Sequence, residues 1–357
     1  MTHEPSPSRD SANSSPSNSA KANDLPTHHQ EPANKILSLR SLLGLGQSDR
    51  HAPNRHVIKL RDNSEIVVWE WPAIRKSGLW RKHLIDRKDI KENVVFCVHG
   101  LTRNGKDFDA LAQMLRRPMS GKIGRCVMAV DIVGRGQSSW LNNKILYSYA
   151  TYHAHLVEIL DRLQLPQVDW VGTSMGGILG MTMAATMPHR VRKLVLNDVG
   201  AVVSRRGLTR IGNYVKESAK NPPHFTNKGD AKRWLKDIMT GYGNLSIQEW
   251  RASLRAMTQT KLDKDGNLIY VPAFDPALGE NFDIPKQDVE LWHLWKNVKQ
   301  PVLLLRGAKS DIIDAEIAKL MAERAGVTLV TLPGRGHAPT LIPGSQTQII
   351  RDWLRGN

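Results

Sequence analysis

Between Val168 and Pro188 the chain passes from an apolar run, Val168-Asp-Trp-Val171, through Gly172-Thr-Ser-Met-Gly176 into a helical run that Pro188 ends. A strand that turns into a helix within five residues has room for few side chains. Glycines at 172 and 176 meet that demand, because a Cβ at either position would collide across the turn. The middle residue, Ser174, is then carried at a strained apex with its hydroxyl exposed. A helix starting there also aims its free N–H groups and positive dipole end at charge that develops beside the serine. The competing reading is a glycine-rich connection with an incidental serine, and the flanking strand and helix weigh against it.

Other apolar runs share the pattern. Val94 to Val98, Arg125 to Val130, Lys193 to Asn197, Pro301 to Leu305 and Val327 to Leu332 read as strands, most of them continuous enough for the centre of a sheet covered on both faces. Helical spacing at Asp107 to Leu115, Tyr147 to Leu163, Ala315 to Ala325 and Thr347 to Leu354 separates or follows them. Such alternation means a parallel, doubly wound α/β sheet with right-handed crossovers. Two further strands, His56 to Leu60 and Glu65 to Trp69, flank the turn residues Asp62-Asn-Ser64. The alternation stops between about residues 201 and 298, where the pattern is helical with tryptophans at 234, 250, 292 and 295. That segment is an insertion between two strands, placed to cover the strand ends. The basic stretch 73–93 reads as a long connection.

Residues 1–54 are rich in Ser, Pro, Asn and His and predict a disordered tail, within which Ile36 to Leu45 can form one or two amphipathic turns. No secretory apolar core occupies the first thirty residues, and no run approaches the ~20 residues of a membrane span. Two cysteines, Cys97 and Cys126, sit in apolar runs and predict buried free thiols. A cytoplasmic protein is expected from these features. The net charge of +16 invites a nucleic-acid partner, but the first sixty residues hold seven Lys/Arg against five Asp/Glu, so the charge lies mainly in the folded part. Its basic clusters, Arg75 to Lys91, Arg190 to Lys193 and Arg205 to Arg210, are not interleaved with aromatics in the manner of a base-stacking surface and predict solvated surface.

Ligands of open α/β sheets bind at the carboxyl ends of the strands. The loops there contain the parts of a nucleophilic site. A serine hydroxyl needs a base to take its proton, and His337, in Pro333-Gly-Arg-Gly-His-Ala338 after the last strand, is the candidate. His153 and His155 lie two apart on a helix, face different ways and do not predict a metal site. The base needs a carboxylate to hold its tautomer. Asp311, after the penultimate strand, is chosen; Asp198, after an earlier strand, is the competitor, and Asp314 lies one turn further on. Asp131 is expected to brace its own glycine-bearing turn, and His99 to hydrogen-bond the surrounding loops. Two backbone donors for an oxyanion are expected at Met175, which follows the nucleophile, and at Leu101, which follows His99-Gly100.

His99-Gly100, Asp131-x-x-Gly134-x-Gly136-x-Ser138, Gly172-x-Ser174-x-Gly176, Asp311 and Gly336-His337 together resemble the α/β-hydrolase superfamily, specifically its cap-bearing serine hydrolases. The resemblance covers about residues 55–357. It implies a mostly parallel eight-stranded sheet built from 55–200 and 299–357, with 201–298 as a helical lid. It implies Ser174 as nucleophile, Asp311 as acid and His337 as base, with an oxyanion hole at the Leu101 and Met175 amides and no cofactor or metal. A small-molecule acyl ester is the substrate class it implies first, with lactones and carbon–carbon bonds of dienoates as alternatives. The dehalogenases and epoxide hydrolases of this fold carry Asp where this chain has Ser174. A non-catalytic binding protein and a basic scaffold for anionic surfaces are the readings from other classes.

Overall fold

The structure, a computed structural model, describes residues 52–74, 93–118 and 123–356. The tail, with its Ile36 to Leu45 segment, and almost all of the basic connection 73–93 lie outside the described residues.

The first described elements form a hairpin, β1 (Asn54–Lys59) and β2 (Glu65–Trp71). Asp62 accepts from the Ser64 amide at 2.9 Å inside the turn, where Asn63 takes a positive φ of 68°. Asn and Asp tolerate and brace such a turn because their short side chains bond nearby backbone. Next come β3 (Val94–Val98), α1 (Asp109–Leu115), β4 (Cys126–Val130), α2 (Tyr149–Arg162), β5 (Val168–Thr173), α3 (Met175–Thr186) and β6 (Val191–Asn197). After a long insertion the series resumes with β11 (Val302–Gly307), α8 (Ala315–Ala322), β12 (Val327–Leu332) and α9 (Gly344–Arg355). The eight strands form one sheet in the order β1-β2-β4-β3-β5-β6-β11-β12. The pairs β1–β2 and β2–β4 are antiparallel, and the remaining pairs are parallel.

The continuous apolar runs divide between the two faces of this sheet, as the strand period of two requires. Val94, Phe96 and Val98 of β3 join the core beneath α2, α3 and α8, while Val95 and Cys97 join the core beneath α1 and α9. Both cysteines are free and buried. A helix on each side explains why no polar alternation was visible in these strands.

The insertion is less helical than its spacing predicts. Helices α4 (Arg205–Lys220), α5 (Lys228–Ile238) and α6 (Ile247–Met257) are present, each started by a side-chain cap from Ser204, Asn227 or Ser246. Then β8 (Thr258–Leu262) and β9 (Leu268–Pro272) form a hairpin, and a two-residue pair joins β7 (Val202–Val203) to β10 (Val289–Glu290), ahead of the short α7 (Trp292–Trp295). The hairpin's cause is local. Asp263 accepts from the amides of Asp265 and Asn267, and Gly266 supplies a φ of 81°. Turn chemistry between two β-prone runs overrides the helical spacing there. Trp234 and Trp250 pack with Leu235 and Leu254 in a small core of the insertion, whereas Trp295 belongs to the main core. No helix among the described residues is long and apolar enough to cross a membrane.

The turn between β5 and α3 is as tight as its glycines suggest. A Cβ on Gly172 would sit inside the Gly176 carbonyl, and one on Gly176 inside the Val98 carbonyl. Ser174 occupies φ 52°, ψ −116°, a region costly for a residue with a side chain. Its amide is tied to the Asn197 carbonyl at 3.0 Å, and its own carbonyl accepts from Gly177 and Ile178, so the surrounding structure imposes the strain. Ser174→Gly removes the steric strain, worth about 1–3 kcal/mol, and loosens the unfolded chain by about 0.5–1 kcal/mol. Ser174→Ala keeps the Cβ and the strain. In urea unfolding, Ser174→Gly should therefore be more stable than Ser174→Ala by about 1 kcal/mol; equal stabilities would contradict a strained serine.

Candidate active site

The loops that follow β3, β5, β6, β11 and β12 meet at the carboxyl edge of the sheet. Ser174 stands at the head of α3. Its Oγ lies 3.0 Å from Nε2 of His337, and Nδ1 of the same ring lies 2.8 Å from Oδ2 of Asp198. With a carboxylate on one nitrogen, the ring proton sits at Nδ1 and the Nε2 lone pair faces the serine hydroxyl. The Asp198 side chain is wholly buried and that of His337 is 6% exposed.

His337 is placed by backbone contacts between the last loop and the insertion. The His337 amide donates to Gly241 O and the Gly336 amide to Tyr242 O, both at 2.9 Å. A Cβ on Gly336 would overlap the Gly241 carbonyl, so the two segments meet at main-chain distance.

The expected acid, Asp311, is engaged away from the ring. Asp311 does not hydrogen-bond the imidazole: its two oxygens take a bidentate pair from Arg210 of α4, at 2.6 Å from Nε and 2.9 Å from Nη2. Burial alone would raise the Asp311 carboxyl, but the hydrogen bonds and charge of Arg210, and the charge of His337 nearby, hold it below the usual carboxylate range. Asp198 takes the place beside the ring. β6 and β11 are neighbours, so the loops after them both reach the histidine. The Gly307 amide (2.6 Å) and the Ser310 hydroxyl (2.7 Å) of the β11 loop turn toward Asp198, which accepts both. Asp311, one residue on, then faces α4. Asp314 flanks the start of α8.

Leu101 and Met175 lie beside the serine, and among the described residues neither backbone amide is spent on a backbone hydrogen bond. Gly100 brings the Leu101 loop close: a Cβ there would be 3.6 Å from the Ser174 Cβ. His99 ties the loops together, receiving the Ile132 amide at Nε2 (3.0 Å) and contacting Gly100 O through Nδ1. Burial is the main reason its ring is pushed down to about 3, opposed by the Gly100 carbonyl and reinforced by Arg135 and Arg103. Asp131 braces its own turn, accepting from the Gly105 and Gln137 amides and from the Trp69 indole. His155 bonds Asp62 at 2.9 Å, and no cluster of potential metal ligands occurs among the described residues.

A cleft opens beside Ser174, and the insertion forms much of its wall. Its polar side carries Arg103, Arg210, Tyr214 and Tyr242; Ile211, Met239 and Met257 supply apolar surface. Arg103 holds Asp107 through Nε and Nη2, at 2.6 and 2.5 Å, as Arg210 holds Asp311. Tyr214 shares a 2.8 Å hydrogen bond with Thr102. The sequence missed these residues as site members. Arg210 falls in a cluster that reads as solvated basic surface, and nothing local distinguishes it from Arg205 or Arg206; Arg103, in the loop with Leu101, carries a positional signal.

A model of the alpha/beta hydrolase fold matches residues 93–341. The 3-hydroxybutyrate-oligomer hydrolase of Cupriavidus necator is 34% identical over 292 residues, 80% of this chain and 96% of that protein. A 2-hydroxy-6-oxo-2,4-heptadienoate hydrolase of Pseudomonas putida is 47% identical over 201 residues, 54% of this chain and 64% of that protein. A solved alpha/beta hydrolase from Novosphingobium aromaticivorans is 30% identical, with a TM-score of 0.70, covering 85% of this chain and 98% of its own. The match to the family, the sheet order and the serine at the strand–helix turn agree: this chain belongs to the alpha/beta hydrolase fold family.

Proposed function

We propose that this hydrolase cleaves carboxylic esters through an acyl-enzyme on Ser174, with His337 as general base and Asp198, rather than Asp311, as the acid that orients it. The observation that carries the reading is the continuous relay from Asp198 Oδ2 through the His337 ring to Ser174 Oγ, at 2.8 and 3.0 Å. In acylation, Ser174 Oγ attacks the ester carbonyl while its proton passes to His337 Nε2. Asp198 stabilises the imidazolium without taking its proton. The carbonyl oxygen becomes an oxyanion facing the Leu101 and Met175 amides and the start of α3, where preorganised donors cost no reorganisation. Collapse expels the alcohol, protonated by His337, and water repeats the sequence to release the acid.

Asp198→Asn should lower kcat for p-nitrophenyl butyrate by about 10³–10⁴-fold, because the amide no longer fixes the tautomer that leaves Nε2 free. Asp311→Asn should cost less than about tenfold on the same substrate, since it leaves the relay intact. A large loss in Asp311→Asn with a small one in Asp198→Asn would reverse the assignment.

The cleft favours an ester whose far end is a carboxylate. Arg210 is anchored by Asp311 through Nε and Nη2, which leaves its Nη1 for another acceptor, whereas Arg103, held by Asp107 in the same way, spends Nη1 on the Met239 sulfur at 3.9 Å. Planar donors fixed in this way suit bidentate or paired recognition of a carboxylate. The similarity to a 3-hydroxybutyrate-oligomer hydrolase supports the same class, as a linear hydroxy-acid oligomer ends in a free acid. The partial similarity to a dienoate hydrolase keeps carbon–carbon cleavage of a conjugated carboxylate as the second reading, which would take the lead if such substrates turned over faster than esters. Arg210→Gln should raise KM for a hydroxybutyrate dimer with a free acid by about 10–100-fold, and change KM for its methyl ester less than about threefold. Equal effects on both would exclude a carboxylate contact at Arg210.

A further inference from the structure

Arg135 is fully buried, and no carboxylate pairs with it among the described residues. Its neighbours are neutral. Nε donates to Leu101 O and Nη1 to Val133 O, both at 2.8 Å, while Nη2 lies 3.8 Å from the Met175 sulfur. The guanidinium carbon stands 4.6 Å from the Tyr152 ring centre and 5.8 Å from that of Tyr147. A buried cation without an anion is costly, and carbonyls and ring faces offset that cost only in part. This one touches the two residues whose amides stand beside Ser174. It sits in the Gly134-Arg-Gly136 turn, whose glycines take φ of 82° and 56°, and the Gly136 amide is held by Ala273 O at 2.7 Å. The guanidinium therefore comes from a rigid loop, not from a flexible arm.

We propose that Arg135 is the positioning residue of the oxyanion hole. It grips Leu101 by its carbonyl and Met175 by its side chain, fixing both donors at once, and it places behind them a positive charge that no carboxylate among the described residues pairs with directly. The inference rests on the ester-hydrolase reading and adds a residue that never meets the substrate. Negative charge grows on the carbonyl oxygen only during attack, so the field and the alignment act on the transition state more than on the bound ester.

The test compares wild type, Arg135→Met and Arg135→Lys with p-nitrophenyl butyrate, each rate divided by the number of serines titrated with a fluorophosphonate. Arg135→Met should lose about 10–100-fold in kcat per titrated serine with KM changed less than about threefold. Affinity for a trifluoromethyl ketone, which forms a tetrahedral adduct, should fall by the same factor as kcat/KM. Arg135→Lys keeps the charge without the fork and should recover part of the loss. Unchanged kcat per titrated serine in either variant, whatever its thermal stability, would overturn the proposal. So would a rise in KM equal to the loss in ketone affinity, or no recovery in Arg135→Lys when both variants titrate fully. Failure of the ester-hydrolase reading would appear separately, as wild-type protein that neither turns over the ester nor takes the label.

Discussion

A buried carboxylate must be met by donors, and at Asp198 those donors come from two different loops. The Gly307 amide and the Ser310 hydroxyl reach it from the strand beside its own, and His337 reaches it from the last strand. Leaving such a group unmatched would cost several kcal/mol, so the arrangement fixes the three loops to one another as well as holding the ring. Asp198 takes a positive φ of 59°, and its amide is bonded to Leu305 O at 2.8 Å, so the main chain is committed to the same geometry. The orientation of His337 toward Ser174 follows from this knot of hydrogen bonds.

The same loop that satisfies Asp198 releases Asp311 for another task. One residue beyond Ser310, it faces α4 and anchors Arg210, which lines the cleft. The carboxylate expected in the relay thus holds a guanidinium at the pocket wall. Two of the insertion's contacts with the sheet domain bear directly on the cleft and the base. The insertion supplies side chains to the cleft, and through Gly241 and Tyr242 it supplies the carbonyls that hold the loop of His337. Displacing that stretch would disturb the base as well as the pocket.

The sheet was legible because its strands are nearly continuous apolar runs bounded by glycine and polar turns, and a buried parallel strand needs little else. Ser174 was legible because only a few residue types fit a turn whose Cβ positions are filled by carbonyls of Gly176 and Val98. His337 followed from its place after the last strand. The choice between Asp198 and Asp311 was not legible. Both follow adjacent strands, both can reach the ring, and the choice depends on Arg210, 101 residues away in sequence. The hairpin β8–β9 was written in Asp263-Lys-Asp-Gly-Asn267, but the surrounding helical spacing masked it. The role argued for Arg135 depends on which carbonyl its fork meets, which no local pattern encodes.

In the proposed mechanism the hydroxyl of Ser174, activated by the His337–Asp198 pair, is the group that bonds to the acyl carbon. Peptide mass spectrometry after fluorophosphonate treatment, followed in parallel with ester turnover, tests it most directly. One label per chain on the peptide containing Ser174, with turnover falling in proportion to labelling, is the predicted result. Turnover that persists in fully labelled protein, or a label carried by a different residue, would contradict it.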